Sequence, residues 1–218
     1  FFQAEDGIRD SVASRGLGDV YKRQFVYNAT VWLRQVEDQS GQKPNIEWKP
    51  FVLAQANNKE TEGWKAWEQP PGNNNRGILA LRAGMAAKRQ GEVLFSDFHL
   101  ALVKARHEER KDLTDLAVIL STAKSAGLDV GRLQQDMKNP NITQEIADSH
   151  AIATERFGVF GTPTFVGNGG SSFFLKMLMP SPDESVELYE DITRLMLRWF
   201  NVGEIKRPQP PWPAVLTN

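Results

Sequence analysis

Apolar residues recur at helical spacing along most of the chain and alternate like a strand in only a few short stretches. Between Val26 and Gln39, the residues Val26, Tyr27, Val31, Trp32 and Val36 fall near one helical face, and Gly41 closes the segment. Asn45 to Leu53 has a different rhythm. Ile46 and Trp48 alternate with polar neighbours before the run Phe51-Val52-Leu53, which predicts a strand. Pro50 has no amide to donate, so it marks the edge or the end of that strand. From Asn57 to Asn75 the chain turns polar, with Pro70-Pro71-Gly72 followed by three asparagines, and a long connection is predicted.

A block of helices comes next. Ile78 to Gln90 carries Ile78, Leu81, Met85 and Ala86, and Val93 to Glu109 carries Val93, Leu94, Phe98, Ala101, Leu102 and Ala105. Leu113 to Ala126 follows Asp112, a candidate N-cap, and stops at Gly127. Val130 to Lys138 is a short helix that Asn139-Pro140 is expected to close, and Thr143 to Phe157 ends before Gly158. Beyond it lie the stretch FGVFGTPTFVGNGG, a strand predicted over Phe173 to Met179, and an amphipathic helix from Ser185 to Phe200. The tail from Arg207 to Asn218 is proline-rich. The pattern is that of one α/β domain, with a long helical run between two strand regions.

Composition narrows the function classes. The 218 residues hold 26 Lys+Arg against 27 Asp+Glu, a net charge of −1 that argues against a nucleic-acid binder. With six Trp and twelve Phe the chain can fill a core, and no apolar run reaches the roughly 18–20 residues of a membrane span. There is no cysteine, which excludes disulfides, thiolate metal sites and a cysteine nucleophile from the chain as it stands.

Residues 1–24 stand apart, with no useful hydrophobic period. Gln3 to Asp10, QAEDGIRD, is one reading frame of CAAGCAGAAGACGGCATACGAGAT, a flow-cell adaptor of short-read sequencing. Ser14 to Gln24, SRGLGDVYKRQ, translates a read adaptor joined to a transposon end, and Ser11-Val12-Ala13 between them leaves room for an index. Residues 1–24 are therefore expected to be a translated library segment outside the native fold, as a tag would be. Arg9, Arg15, Lys22 and Arg23 balance Glu5, Asp6, Asp10 and Asp19, so the net charge does not depend on them. On this reading Phe25 opens the native part, and the native N-terminus with any leader lies upstream.

Gly158 to Asn168, GVFGTPTFVGN, is the stretch that carries chemistry. Pro163 is expected to enter a strand at its first residue, since proline is disfavoured inside a central strand. The Thr162–Pro163 bond is open to either isomer. A cis bond would turn the chain sharply and present the amide and carbonyl of Thr162 outside the sheet; a trans bond would make an ordinary turn into the strand.

This segment resembles the cis-proline loop of the DsbA-like thioredoxin-fold family. Phe25-Val26-Tyr27 followed by NATVWLRQVE resembles the end of that family's C-P-x-C motif and its first helix, and NIEWKPFVLAQAN resembles its second strand. The helical run before GTPTF corresponds to the family's insertion. The resemblance spans Phe25 to Phe200. It implies an α/β thioredoxin-like fold with a large inserted helical subdomain: residues 25–202, of which 25–56 and 158–202 form the thioredoxin part and 57–157 the helical insert, followed by the tail 203–218.

The departures from the family pattern bear on function. By position, Phe25 and Val26 take the last two places of C-P-x-C, and Arg23 and Gln24 stand where the attacking cysteine and its proline would fall. The family's thiol is activated by free amides and the dipole at a helix N-terminus, and a second thiol must release the mixed disulfide. With Val26 in that second place, full dithiol–disulfide exchange is unavailable. No catalytic residue is assigned. The resemblance implies a substrate groove of Phe25, Val26, Thr162 and Pro163, with the Thr162 backbone pairing an extended thiol or peptide substrate, and Pro163 keeping the loop clear of metal and thiol chemistry.

Three functions are expected on this scaffold: a DsbA-like oxidoreductase-family protein lacking its CxxC, a glutathione-dependent isomerase or transferase, or a non-catalytic thiol- or peptide-binding module. Glutathione is the only small-molecule ligand implied, and neither nucleic acid nor membrane is expected as a partner. The lean towards a cytoplasmic location rests on the resemblance alone.

Other residues read more blandly. His99 and His107 share a helical face but stand two turns apart, too far for one metal, and His150 lies on an inward stripe as a packing histidine. Lys104 to Lys111 is a mixed charge run on an exposed surface. Asn28-Ala29-Thr30 and Asn141-Ile142-Thr143 match glycosylation sequons. Trp32, Trp48 and Trp199 are expected in the core, and Trp64, Trp67 and Trp212 at a surface groove.

Overall fold

A computed structural model of the chain describes residues 2–3, 17–58, 63–69, 77–167 and 169–206. Trp212, the proline-rich tail and much of the predicted 57–75 connection lie outside them. In chain order the elements are β1 (Phe2–Gln3), α1 (Leu17–Ser40), β2 (Pro50–Phe51), α2 (Leu53–Ala56), α3 (Ile78–Lys88), α4 (Glu92–His107), α5 (Leu116–Ser125), α6 (Val130–Met137), α7 (Pro140–Phe157), β3 (Thr164–Val166), β4 (Ser172–Phe174) and α8 (Ser185–Arg198). They divide into two compact units: Phe1–Arg9 with Glu47–Thr162, and Asp10–Ile46 with Pro163–Asn218. Among the described residues no helix is long and apolar enough to cross a membrane.

The first unit is built around α3. Ile78, Ala80, Leu81, Ala83, Gly84, Ala86 and Ala87 are all buried, so the helix is enclosed on more than one face, as an all-round apolar sequence demands. Its small residues let α4, α6 and α7 pack against it. Phe95, Phe98 and Leu102 of α4, Ile119 of α5, Leu133 of α6, and Ile142 and Ile146 of α7 complete the core. The Arg82 guanidinium donates to the Met137 carbonyl at 3.1 and 2.7 Å and to Thr143 Oγ1, joining the end of α6 to the start of α7.

Local capping revises two sequence expectations. Asp115, not Asp112, caps α5, its Oδ1 accepting from the Ala117 amide at 2.8 Å; Asp112 closes a turn by accepting from the Thr114 amide at 2.9 Å. Asn139-Pro140 opens α7 instead of closing α6. Asn139 Oδ1 accepts from the Asn141 amide at 2.9 Å, and Pro140 sits in the first turn, where its missing amide costs no helical bond. Gly127, at φ +82°, turns the chain out of α5 so that the Leu128 amide reaches the Ala123 carbonyl at 3.0 Å.

The strand predicted over Asn45 to Leu53 survives only as Pro50–Phe51, which pairs in parallel with β1. Its next amide, that of Val52, donates to His150 Nδ1 at 3.3 Å, and Val52 also caps α2. The strand therefore ends because α7 takes its backbone. Ser149 Oγ holds the Pro50 carbonyl in the same way at 2.8 Å.

The second unit joins α1 to α8 and to the antiparallel β3–β4 hairpin. Phe165 and Phe173 face each other across the hairpin and stack at 5.1 Å. Trp32, 1% exposed, lies between α1, α8 and β3. Its Nε1 donates to the Ser185 carbonyl at 3.0 Å, and its ring meets Tyr189 at 5.8 Å and Phe165 at 6.4 Å. Ser185 Oγ in turn donates to Gln35 Oε1 at 2.8 Å. At Gly167 a Cβ would come within 2.8 Å of Leu197 Cδ2, so the hairpin approaches α8 by its backbone. α8 is preceded by a turn at Pro182–Glu184, where Ser181 and Glu184 cap each other reciprocally.

Candidate functional site

The loop leaving α7 is fixed before it reaches Pro163. Gly158 takes the left-handed conformation at φ +62°, a place where a side chain would be strained. The Val159 amide bonds to the Ala153 carbonyl at 2.9 Å. Val159, Gly161, Thr162, Pro163 and Thr164 are all buried, whereas Phe160 among them is 70% exposed. Thr162 is 4% exposed, and its Oγ1 has no hydrogen-bond partner among the described residues. A hydroxyl buried without a partner is costly, so it marks a position whose polar capacity the fold leaves unused.

Pro163 stands at the entry to β3, as its missing amide requires. Its carbonyl accepts from the Leu175 amide at 3.1 Å, extending the hairpin ladder by one bond beyond Thr164↔Phe174. Two residues on, the Met177 carbonyl accepts from Asn28 Nδ2 at 2.8 Å. The 175–177 stretch thus holds Pro163 on one side and the α1 turn after Val26 on the other. β4 stops at Phe174, short of the predicted Met179; beyond it the Met177 carbonyl goes to a side chain and not to a neighbouring strand.

Phe25 and Val26 are 4% and 2% exposed and lie within α1. The helix starts at Leu17, well before the predicted Val26, because no proline interrupts the chain from there to Ser40. Val26 is therefore inside a helix. Its carbonyl accepts from Thr30 Oγ1 at 2.8 Å, and the free amides of a helix N-terminus lie more than a turn away from it. Of the four residues implied by the resemblance, Phe25, Val26 and Pro163 belong to the second unit, and Thr162 ends the first, joined to Pro163 by the peptide bond.

Two of the three histidines are packed in the first unit. His99, 2% exposed, lies against Trp48 at 4.5 Å and Phe95 at 5.8 Å, and burial first of all holds its pKa down to about 3. His150 sits 4.7 Å from the Phe51 ring and 5.6 Å from Trp67, and burial lowers its pKa too. Because Nδ1 accepts the Val52 amide, the imidazole is neutral with its proton on Nε2. Among the described residues no three His, Asp or Glu side chains are grouped to hold a metal ion. Trp48 packs on the core, and Trp64 and Trp67 pack against it while staying partly exposed. Trp199, expected inside, is 50% exposed because α8 ends at Arg198 and the chain turns away there.

A family model for the DSBA-like thioredoxin domain matches residues 25–190. The chain belongs to that family. Among curated proteins, none matches it. With that match the fold is α/β, thioredoxin-like with an inserted set of helices, and of the thiol–disulfide oxidoreductase type. This DsbA-like chain contains no cysteine.

Asn28, noted in the sequence only as part of a sequon, is the residue near Phe25 and Val26 whose structural part sequence reasoning missed. It lies three residues after Phe25 and four before Trp32, on the buried stripe of α1. A polar side chain on an apolar stripe is the signal that it holds something, and what it holds is Met177.

Proposed function

We propose that this DsbA-like chain binds an extended thiol or peptide substrate at Phe25, Val26, Thr162 and Pro163 and carries out no dithiol exchange of its own. The observation that supports this reading is the position of Pro163 at the entry to β3, where its carbonyl is held by the Leu175 amide and the preceding residue, Thr162, stands outside the hairpin ladder. With no cysteine, the chain can neither attack a disulfide nor resolve one. A second reading, favoured by Val26 in the place of the second cysteine, is non-covalent binding of glutathione, as in isomerases and transferases on this scaffold. No metal or other cofactor enters either reading. Nucleic acid and membrane are not proposed as partners, and the location we propose is cytoplasmic.

Calorimetric titration of the 218-residue chain with reduced glutathione, and with a peptide carrying serine in place of cysteine, tests the proposal. Saturable binding of either supports it. Absence of both, or acceleration of insulin-disulfide reduction by the chain, overturns it.

A further inference from the structure

α8 carries apolar side chains on more of its circumference than its own unit covers. Ser185 and Tyr189 meet Trp32, and Leu197 lies against Gly167, so these three mark the covered face. A second row runs beside it. Leu188, Ile192, Leu195 and Trp199 follow one another at steps of four, three and four residues, the spacing of a coiled-coil seam. None of the four is buried, and Trp199 is 50% exposed. Next to the last two lies an open depression of about 260 Å³, lined by Asp191, Arg194, Leu195 and Trp199. The whole row belongs to the second unit.

Charge says what fits the row. Asp191 and Arg198 stand one heptad apart on its outer flank, each one residue before a member of the row. The Arg198 guanidinium is kept beside the row, 5.5 Å from the Trp199 ring. Asp191 pairs with Arg194, but both are exposed, and such a pair holds its charges weakly enough to leave them open to a partner. When a second copy of α8 is laid antiparallel on the first, Ile192 meets Leu195, Leu188 meets Trp199, and Asp191 comes opposite Arg198 of the partner subunit. The two-fold axis makes that ion pair twice. A parallel copy would set Asp191 and Arg198 against the flank of Tyr189 and Met196, which holds no opposite charge.

We propose that α8 is the seam of a symmetric antiparallel dimer of this chain, held by the row from Leu188 to Trp199 and by the paired charges of Asp191 and Arg198. Two heptads make a small interface, under the ~1,200 Å² of stable complexes. The dimer therefore forms at high concentration and dissociates on dilution.

Sedimentation velocity of the 218-residue chain from about 5 to about 500 μM is expected to show a reversible monomer–dimer transition. Asp191→Arg and Arg198→Asp each turn both ion pairs into like-charge contacts, and each should weaken self-association about tenfold or more. Both positions are exposed, so circular dichroism of the variants should match that of the parent. An equimolar mixture of the two variants should associate as the parent does, because each chain offers the charge the other lacks; misfolding would give no such recovery. A chain that stays monomeric across the range overturns the proposal and leaves the row to another occupant. A dimer indifferent to both swaps, or a mixture as weak as its components, overturns it as well.

Discussion

At the scale of single residues, the buried histidines tie this molecule's stability to pH. His99 has no room for a hydrated charge between Trp48 and Phe95, and its pKa falls to about 3, far under the ordinary value of 6.5. The unfolded chain therefore binds a proton that the folded chain refuses. Stability from this group is whole above about pH 6.5 and is lost progressively as the pH falls towards the folded value. Urea unfolding at pH 7 and pH 5 should differ by about 2 kcal/mol from His99 alone, with His150 acting in the same direction. His99→Phe should flatten the profile; an unchanged slope in that variant would move the effect elsewhere. His150 adds a geometric reason, because a proton on Nδ1 would face the Val52 amide that it now accepts. The helical period shows His99 only as sharing a face with His107, whereas the inward position of His150 was legible from the stripe its helix carries. Their bonds and stacking partners were not, since Val52 and His150 are 98 residues apart.

Helices were the easier elements to read, and their ends the harder part. The apolar period located α3 to α8, but a period says which face is buried and not which residue starts the helix. Around α5 two aspartates compete, Asp112 and Asp115, and each closes a ring of the same size onto a backbone amide. Only Asp115 does so at the helix itself. Asp115→Ala should cost about 1 kcal/mol, whereas Asp112→Ala should cost a few tenths at most, because the turn it closes is solvent-exposed. Comparing the urea midpoints of the two variants checks this, and equal losses would reassign the cap. The strands were less legible for a physical reason. β2 ends where a side chain from α7 captures its next amide, and three residues past β4 a side chain from α1 takes the Met177 carbonyl; a run of apolar residues carries no sign of either capture. The loop before β3 was half legible: Pro163 at the strand entry follows from proline chemistry, but the opposite exposures of Phe160 and Thr162 follow from the bend at Gly161.

At the scale of the whole molecule, each unit keeps its own interior, one gathered around α3 and the other around Trp32. The chain nevertheless passes between them, so the second unit is assembled from segments separated by more than a hundred residues: α1 on one side, and the hairpin with α8 on the other. Asn28 and Met177 are 149 residues apart, and Trp32 and Ser185 are 153 apart, so neither bond can form until the intervening chain has been made. Contacts of such sequence separation come late and slowly. The Asn28-Ala29-Thr30 sequon acquires its meaning here. Once folded, the Asn28 side chain is 2% exposed and its amide nitrogen is engaged, so an oligosaccharide can be attached only to a chain that has not yet closed. The Asn141 side chain, at the start of α7, stays exposed after folding. Secreted from a glycosylating host, the protein becomes a clock for its own maturation. A product carrying sugar at Asn141 alone means that closure outran the transferase. Sugar at Asn28 means that the transferase won, and that molecule can never complete the second unit.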